Sequence, residues 1–310
     1  MNFAHLHLML NHFPIIGTVV GFALVLVSRR TKRDELNQAG LAALFIMALL
    51  TLPIFVTGAF AEGAVNNPEV STLLEKHKDA ALLAFVFMEI TGILAWLGLW
   101  QSRRFSRPAR WNVSSVLFLS VVTLVLMVRT GTIGTGIRHP EVRSHEETTA
   151  SEGADSWTHS VASVMHEKLW AWPASESLHF VGMPILFGVV LMVSLRTLGI
   201  AKSLPFAALH RLLPLGVFGF GINVVSGMLF LIADPGLYLA RPAFPPKIAL
   251  IVLAGTSILY FTVFDEVWDL KPGDDASLAA KVVAAATIAL WLGVIFFGRM
   301  LPYLGNKQPC

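Results

Sequence analysis

Cysteine is almost missing from this chain: the single one, Cys310, is the last of 310 residues. That excludes an internal disulfide, a cysteine-rich zinc or iron–sulfur site, and covalent haem attachment through C-x-x-C-H. Charge is scarce as well. Only 14% of residues are Asp, Glu, Lys or Arg and 55% are hydrophobic, whereas a soluble domain averages about 25% charged. The net charge of +3 is small and the basic residues sit in short connections, a pattern that sets orientation in a bilayer and argues against nucleic acid as a partner. No Lys or Arg precedes the first apolar run and no clear A-x-A site follows it, so a mature membrane helix is expected there and not a cleaved signal. The glycine-rich stretch Gly131-Thr132-Ile133-Gly134-Thr135-Gly136 lacks a preceding strand and a Walker lysine, which excludes a nucleotide loop. Those glycines suit close packing or close approach of a cofactor.

What the chain has in abundance is long apolar runs. Eight are separable, at about Leu6–Val27, Ala39–Phe60, Ala80–Trp100, Val113–Thr130, Ser177–Leu198, Leu209–Ile232, Ile248–Phe264 and Leu278–Leu301. Each is near the roughly 20 residues that a spanning helix needs. The expected fold is all-α and polytopic, two four-helix bundles in tandem. The expected divisions are a first membrane domain over 1–137, an outer loop over 138–175 with an amphipathic, interfacial segment, and a second membrane domain over 176–310. Basic clusters at Arg29, Arg30, Lys32 and Arg33, at Arg103, Arg104, Arg107 and Arg110, and at Arg196, Lys202 and Arg211 place those connections in the cytoplasm. Both termini and the acidic loop after the fourth run then face the periplasm of a bacterial inner membrane.

Polar groups are costly in hydrocarbon and need a partner or a ligand. His5, His7 and His12 head the first run, and His77 stands near the outer start of the third. Thr72-x-x-Glu75 reads as a capping box that carries His77 into the helix. His12 and His77 therefore reach similar depth on helices that are diagonal in an up-down bundle. Two facing imidazoles in that arrangement clasp a b-type haem, so His12 and His77 are the expected metal ligands. The alternative is that such histidines cap helix ends, meet headgroups or bond to backbone. His139 is the next candidate. His179 opens the fifth run and is a further cofactor-binding candidate, with Lys247 on the same outer side; Lys247 ordinarily snorkels to headgroups. A two-haem wire would need histidines roughly thirteen residues, or about 20 Å, apart on one helix. Only His166 and His179 have that spacing, and Pro173 lies between them. Glu89, central in the third run among Phe85, Phe87, Met88 and Ile90, is a proton or quinone candidate. Its bland reading is a neutral, hydrogen-bonded acid.

Particular motifs resemble known families. Asn11-His12-Phe13-Pro14-Ile15, Thr57-Gly58, His77, Thr130-Gly131-x-x-Gly134 and Arg138-His139-Pro140-Glu141-Val142 resemble a family of bacterial four-helix membrane proteins of unassigned function, itself similar to b-type membrane cytochromes. That likeness implies His12 and His77 as haem ligands with His139 close by. Leu178-His179-Phe180-Val181-Gly182, Ser194-Leu195-Arg196-Thr197-Leu198-Gly199, Ser226-Gly227-Met228-Leu229-Phe230 and Phe244-x-x-Lys247 resemble a second bacterial membrane domain, distantly similar to copper-resistance membrane proteins. The expected function is membrane-embedded electron transfer through one haem b, between quinol and a periplasmic partner such as a cytochrome, as a subunit of a larger redox complex. The alternatives are a cofactor-free anchor or scaffold subunit, and a copper-handling membrane protein.

Overall fold

The structure is a computed structural model and describes residues 3–62, 71–138, 157–263 and 267–301. Among them the regular structure is helical throughout. The helices are α1 Phe3–Leu10, α2 His12–Thr31, α3 Asp34–Glu62, α4 Ser71–Phe105, α5 Arg110–Arg138, α6 Trp157–Glu167, α7 Ala171–Thr197, α8 Phe206–His210, α9 Leu213–Ala233, α10 Pro235–Leu239, α11 Phe244–Val263 and α12 Leu278–Met300. Among the described residues, eight helical stretches are long and apolar enough to cross a membrane, with α1 continuing into α2 and α8 into α9. Their outer faces carry large apolar side chains in the open: Phe118 is 68% exposed, Phe218 62% and Leu278 78%. Bands of this kind are covered by lipid, not water.

The chain forms two compact units, one of Met1–Ala95 with Ala109–Glu167, the other of Trp96–Pro108 with Lys168–Cys310. The division differs from the expected one in two places. The amphipathic α6 belongs with the first unit, and the last turns of α4 belong with the second. At 35 residues and 1.5 Å per residue, α4 is about 50 Å long, well beyond the roughly 30 Å of a bilayer core. Its expected capping residue, Thr72, is already inside the helix.

In the first unit α2 packs on α3 and on α5. The contacts of α4 are with α3, where Thr51 meets Glu89, and with α5, where Asn112 Nδ2 donates to the Leu94 carbonyl at 2.9 Å. The order around the bundle is therefore α2, α3, α4, α5, with α2 and α4 diagonal. Small residues set the spacing. A Cβ on Gly40 would stand 2.8 Å from the Gly21 carbonyl oxygen, so α2 and α3 touch backbone to backbone, as small residues allow in membranes. Ala48, Ala84, Met88 and Met127 form the core between the helices.

In the second unit α7 packs on α9 and α12, and α12 on α11. Leu186, Val190, Ala254, Trp291 and Val294 make the core, with Phe220 against it. Gly182 and Gly219 repeat the close approach: a Cβ on either would stand 2.9 Å from the other's carbonyl oxygen. The end of α4 is held here by Trp96 Nε1 donating to Thr262 Oγ1 at 3.0 Å, Trp100 Nε1 to the His210 carbonyl at 2.9 Å and Arg103 Nε to the Thr262 carbonyl at 3.0 Å. Arg196 is fully buried. Its Nε, Nη1 and Nη2 donate to the carbonyls of Leu204, Asp274 and Lys271 at 2.8, 3.2 and 3.0 Å, and its guanidinium lies 4.5 Å over the Phe206 ring. One side chain thereby ties the turn after α7 to the connection before α12. Gly199, at φ 89°, ends α7 in the left-handed conformation that glycine takes without strain.

Candidate functional site

The interior stripe of the first span runs through His7, Asn11, Pro14, Thr18, Gly21, Val25 and Ser28, of which Pro14 through Ser28 are buried. The spacing alternates four and three, one face of a helix. His12 lies five residues from His7, about 140° around the helix, and its ring is exposed. The imidazole that turns inward is thus His7, not the expected His12. The side chain of His5 lies outside the described residues, as does His139.

His7 and His77 are seated alike. His7 Nδ1 lies 3.0 Å from the Ile54 carbonyl, and His77 Nδ1 3.1 Å from the Thr130 carbonyl. A carbonyl only accepts, so each Nδ1 carries the proton and each Nε2 keeps its lone pair. Four residues beyond each carbonyl comes a glycine that the ring rests on. A Cβ on Gly58 would stand 2.8 Å from His7 Cε1 and 3.4 Å from Nε2; one on Gly134 would stand 3.1 Å from His77 Cε1. Thr57 Oγ1, 3.4 Å from His7 Nδ1, adds a second polar neighbour. The two rings belong to the same compact unit. Their helices are diagonal, and both histidines stand in the first turns of their spans while both glycines stand in the last.

Nδ1 tied to a carbonyl, with Nε2 free, is how a protein fixes the tautomer and aim of a metal-ligating histidine. The donor set fits iron held by two imidazoles. Among the described residues there is no group of three or more His, Cys, Asp or Glu that could hold a bare metal ion. Of the histidines in the long outer connection, which a copper-handling protein could use, His159 and His166 are exposed on α6, and His145 lies outside the described residues.

Glu89 is buried twelve residues after His77, about 18 Å further along α4. It lies apart from the histidine pair. Thr51 Oγ1 stands 3.1 Å from its Oε1 and 2.6 Å from the Ala48 carbonyl. The hydroxyl has one proton to share between these two acceptors. Thr91 and Thr123 hydrogen-bond beside it at 3.2 Å.

In the second unit His179 Nδ1 lies 2.8 Å from Ser226 Oγ. His210 is buried elsewhere, stacked on Trp100 and edge-on to Trp268 at 4.8 Å, which is a packing role. Nothing in hydropathy alone pointed to Gly58, Gly134 or the inward turn of His7; the alternating four-and-three stripe of small and polar residues was the available signal.

Fold and composition together define an all-α polytopic membrane protein. Residues 4–139 match the family described as "Predicted membrane protein (DUF2231)", a description that names no activity and leaves the second half of the chain unmatched. It carries no likeness to cytochromes or to copper-resistance proteins. Neither a curated protein nor a solved structure matches the chain.

Proposed function

We propose that the first unit holds one b-type haem between His7 and His77 and that the protein is an electron-transfer subunit of the bacterial inner membrane, taking electrons from quinol toward a periplasmic partner within a larger complex. The observation that carries this reading is the matched seating of the two imidazoles: Nδ1 on a carbonyl, the ring on a glycine, Nε2 unspent, on diagonal helices. Haem iron held by two histidines supplies one-electron redox chemistry, with its potential set by ligands, hydrogen bonds and burial. The chain's own residues do the rest. Ile54 and Thr130 orient the ligands through their carbonyls. The glycines keep Nε2 clear. Orientation with both termini in the periplasm belongs to the same proposal, since basic connections stay cytoplasmic.

The test is a reduced-minus-oxidised visible spectrum of the detergent-purified protein with a pyridine haemochrome assay. One haem per chain is expected, lost in His7→Ala and in His77→Ala and kept in His12→Ala. A colourless protein expressed with haem supplied refutes the reading and leaves a cofactor-free anchor. A band that survives both His7→Ala and His77→Ala refutes the ligand pair.

A further inference from the structure

The second unit repeats the first unit's layout with one change of chemistry. In the first unit the residue on the first span rests on a glycine late in the second, and the residue on the third span rests on a glycine late in the fourth. In the second unit His179, on the first span α7, faces Gly227 late in α9: a Cβ there would meet His179 Cε1 at 3.8 Å. On the third span α11 the corresponding side chain is Lys247. It faces Gly298 late in α12, where a Cβ would stand 3.7 Å from both its Cε and its Nζ. The helices α7 and α11 are the diagonal pair, as α2 and α4 are. Where the first unit has two imidazoles, the second has an imidazole and an ammonium.

The polar groups of this second site are specified by their hydrogen bonds. Ser226 Oγ donates to the Ile222 carbonyl at 2.6 Å, which uses its only proton. The 2.8 Å contact with His179 is therefore completed by Nδ1–H, and Nε2 keeps its lone pair. Lys247 is half-buried, and among the described residues its ammonium makes no hydrogen bond or ion pair. Glu176, one turn before His179, is exposed. One turn deeper, Asn223 Oδ1 is buried without a partner. The site thus offers a charged donor, a neutral acceptor and an unspent amide oxygen. Beside it runs an aromatic chain: Phe230 lies 6.0 Å from the His179 ring, 5.1 Å from Trp172 and 6.5 Å from Tyr238.

We propose that His179 and Lys247 bind the head group of a membrane quinone in the second unit. The chemistry selects this class over an anionic lipid. A lipid phosphodiester has acceptors only, and the hydroxyls of a head group such as glycerol sit on a flexible chain, not fixed across a flat ring from the acceptor. A quinol has both: one hydroxyl donates to His179 Nε2, and the oxygen across the ring accepts from the Lys247 ammonium. Its flat ring suits the aromatic wall, and its isoprenoid tail suits the lipid-facing surface. An unpaired ammonium among apolar groups is costly, and a strong oxygen acceptor offsets that cost. The proposal supplies the quinol side of the electron-transfer reading but does not need the haem.

The test uses the full chain in lipid nanodiscs, with ubiquinone-1 as the probe and quenching of tryptophan fluorescence as the readout. Lys247→Met and His179→Gln keep size and remove one polar partner each. Each is expected to weaken binding by roughly tenfold or more, the worth of one well-placed hydrogen bond at a desolvated site. The haem band of the same samples should be unchanged, so failure of this site and failure of the His7–His77 site are read separately. Phosphatidylglycerol added as competitor should not displace the probe. Equal binding by wild type and both variants overturns the proposal, as does displacement by phosphatidylglycerol alone. Should either variant fail to fold, a photoreactive azidoquinone on the wild-type chain decides: labelling of α7, α9 or α11 peptides supports the site, and labelling confined to other helices overturns it.

Discussion

Replacing Gly58 by alanine separates ligand seating from fold stability. The new Cβ would sit 2.8 Å from His7 Cε1 and 3.1 Å from Nδ1, closer than real carbon contacts permit, so the ring must move off its carbonyl. The lost Nδ1–H···O=C bond to Ile54 costs about 1 kcal/mol. Alanine in place of glycine in a helix returns about 1 kcal/mol of propensity. Net stability should therefore change little. Ligand binding should change much more, because removing the group that orients a metal-ligating histidine typically costs about 10–100-fold in affinity. Gly134→Ala, with 3.1 Å to His77 Cε1, should act in the same direction and less strongly. Gly131→Ala is the control, since a Cβ there meets nothing within 4 Å. The assay is haem per chain after dialysis against apomyoglobin, with thermal unfolding of the same samples. Full haem retention in Gly58→Ala, at unchanged stability, would refute the seating argument.

Arg196→Lys should lower stability by on the order of 3 kcal/mol, because a single ammonium cannot serve carbonyls on Leu204, Asp274 and Lys271, and each orphaned buried acceptor costs roughly 1–3 kcal/mol; the detergent-solubilised melting temperature reads it. Gly219→Leu should abolish a monodisperse gel-filtration peak, since its Cβ would fall 2.9 Å from the Gly182 oxygen and the Leu186 nitrogen, whereas Gly188→Leu, where a Cβ meets nothing within 4 Å, should be tolerated. Asp275 is exposed, and hydrogen bonds from Lys202 and Lys281, each 3.0 Å away, hold its carboxyl below the usual carboxylate range. Its contribution is present above that ordinary value and is lost as pH falls through the lowered one. Asp275→Asn should therefore flatten the acid side of a stability-against-pH curve from about pH 4 downward, and added salt should shrink the difference.

Span number and approximate limits were legible in the sequence, because hydropathy over a window measures length against bilayer thickness. Rotation about the helix axis was not read from it. A run of Leu, Ile and Val gives the same hydropathy whichever face is turned inward, so His12 looked as good as His7. Only the stripe through Asn11, Thr18, Gly21 and Ser28 fixes the face. Arg196 was legible only in part. The sequence offers it as one of a basic cluster with Lys202 and Arg211, while its burial and its carbonyl partners, as far as 78 residues away, depend on the fold. The second site was legible in part: His179 and Lys247 stood out as polar residues in apolar surroundings, but their pairing with Gly227 and Gly298 depends on which helices become neighbours.

The length of α4 bears on how the protein is made. Trp96 on the third span finds Thr262 166 residues later, at the end of the seventh. During synthesis that tryptophan must wait, inserted and unpartnered, until nearly the whole chain has left the ribosome. A gene cut in the 139–156 connection would separate the two sequence halves but not the two folding units. The upstream fragment would carry Trp96, Trp100 and Arg103 with no acceptors to meet, and the downstream fragment would lack the pieces that close it. Co-expressed fragments should therefore recover each other in one membrane, and either alone should be cleared by proteolysis.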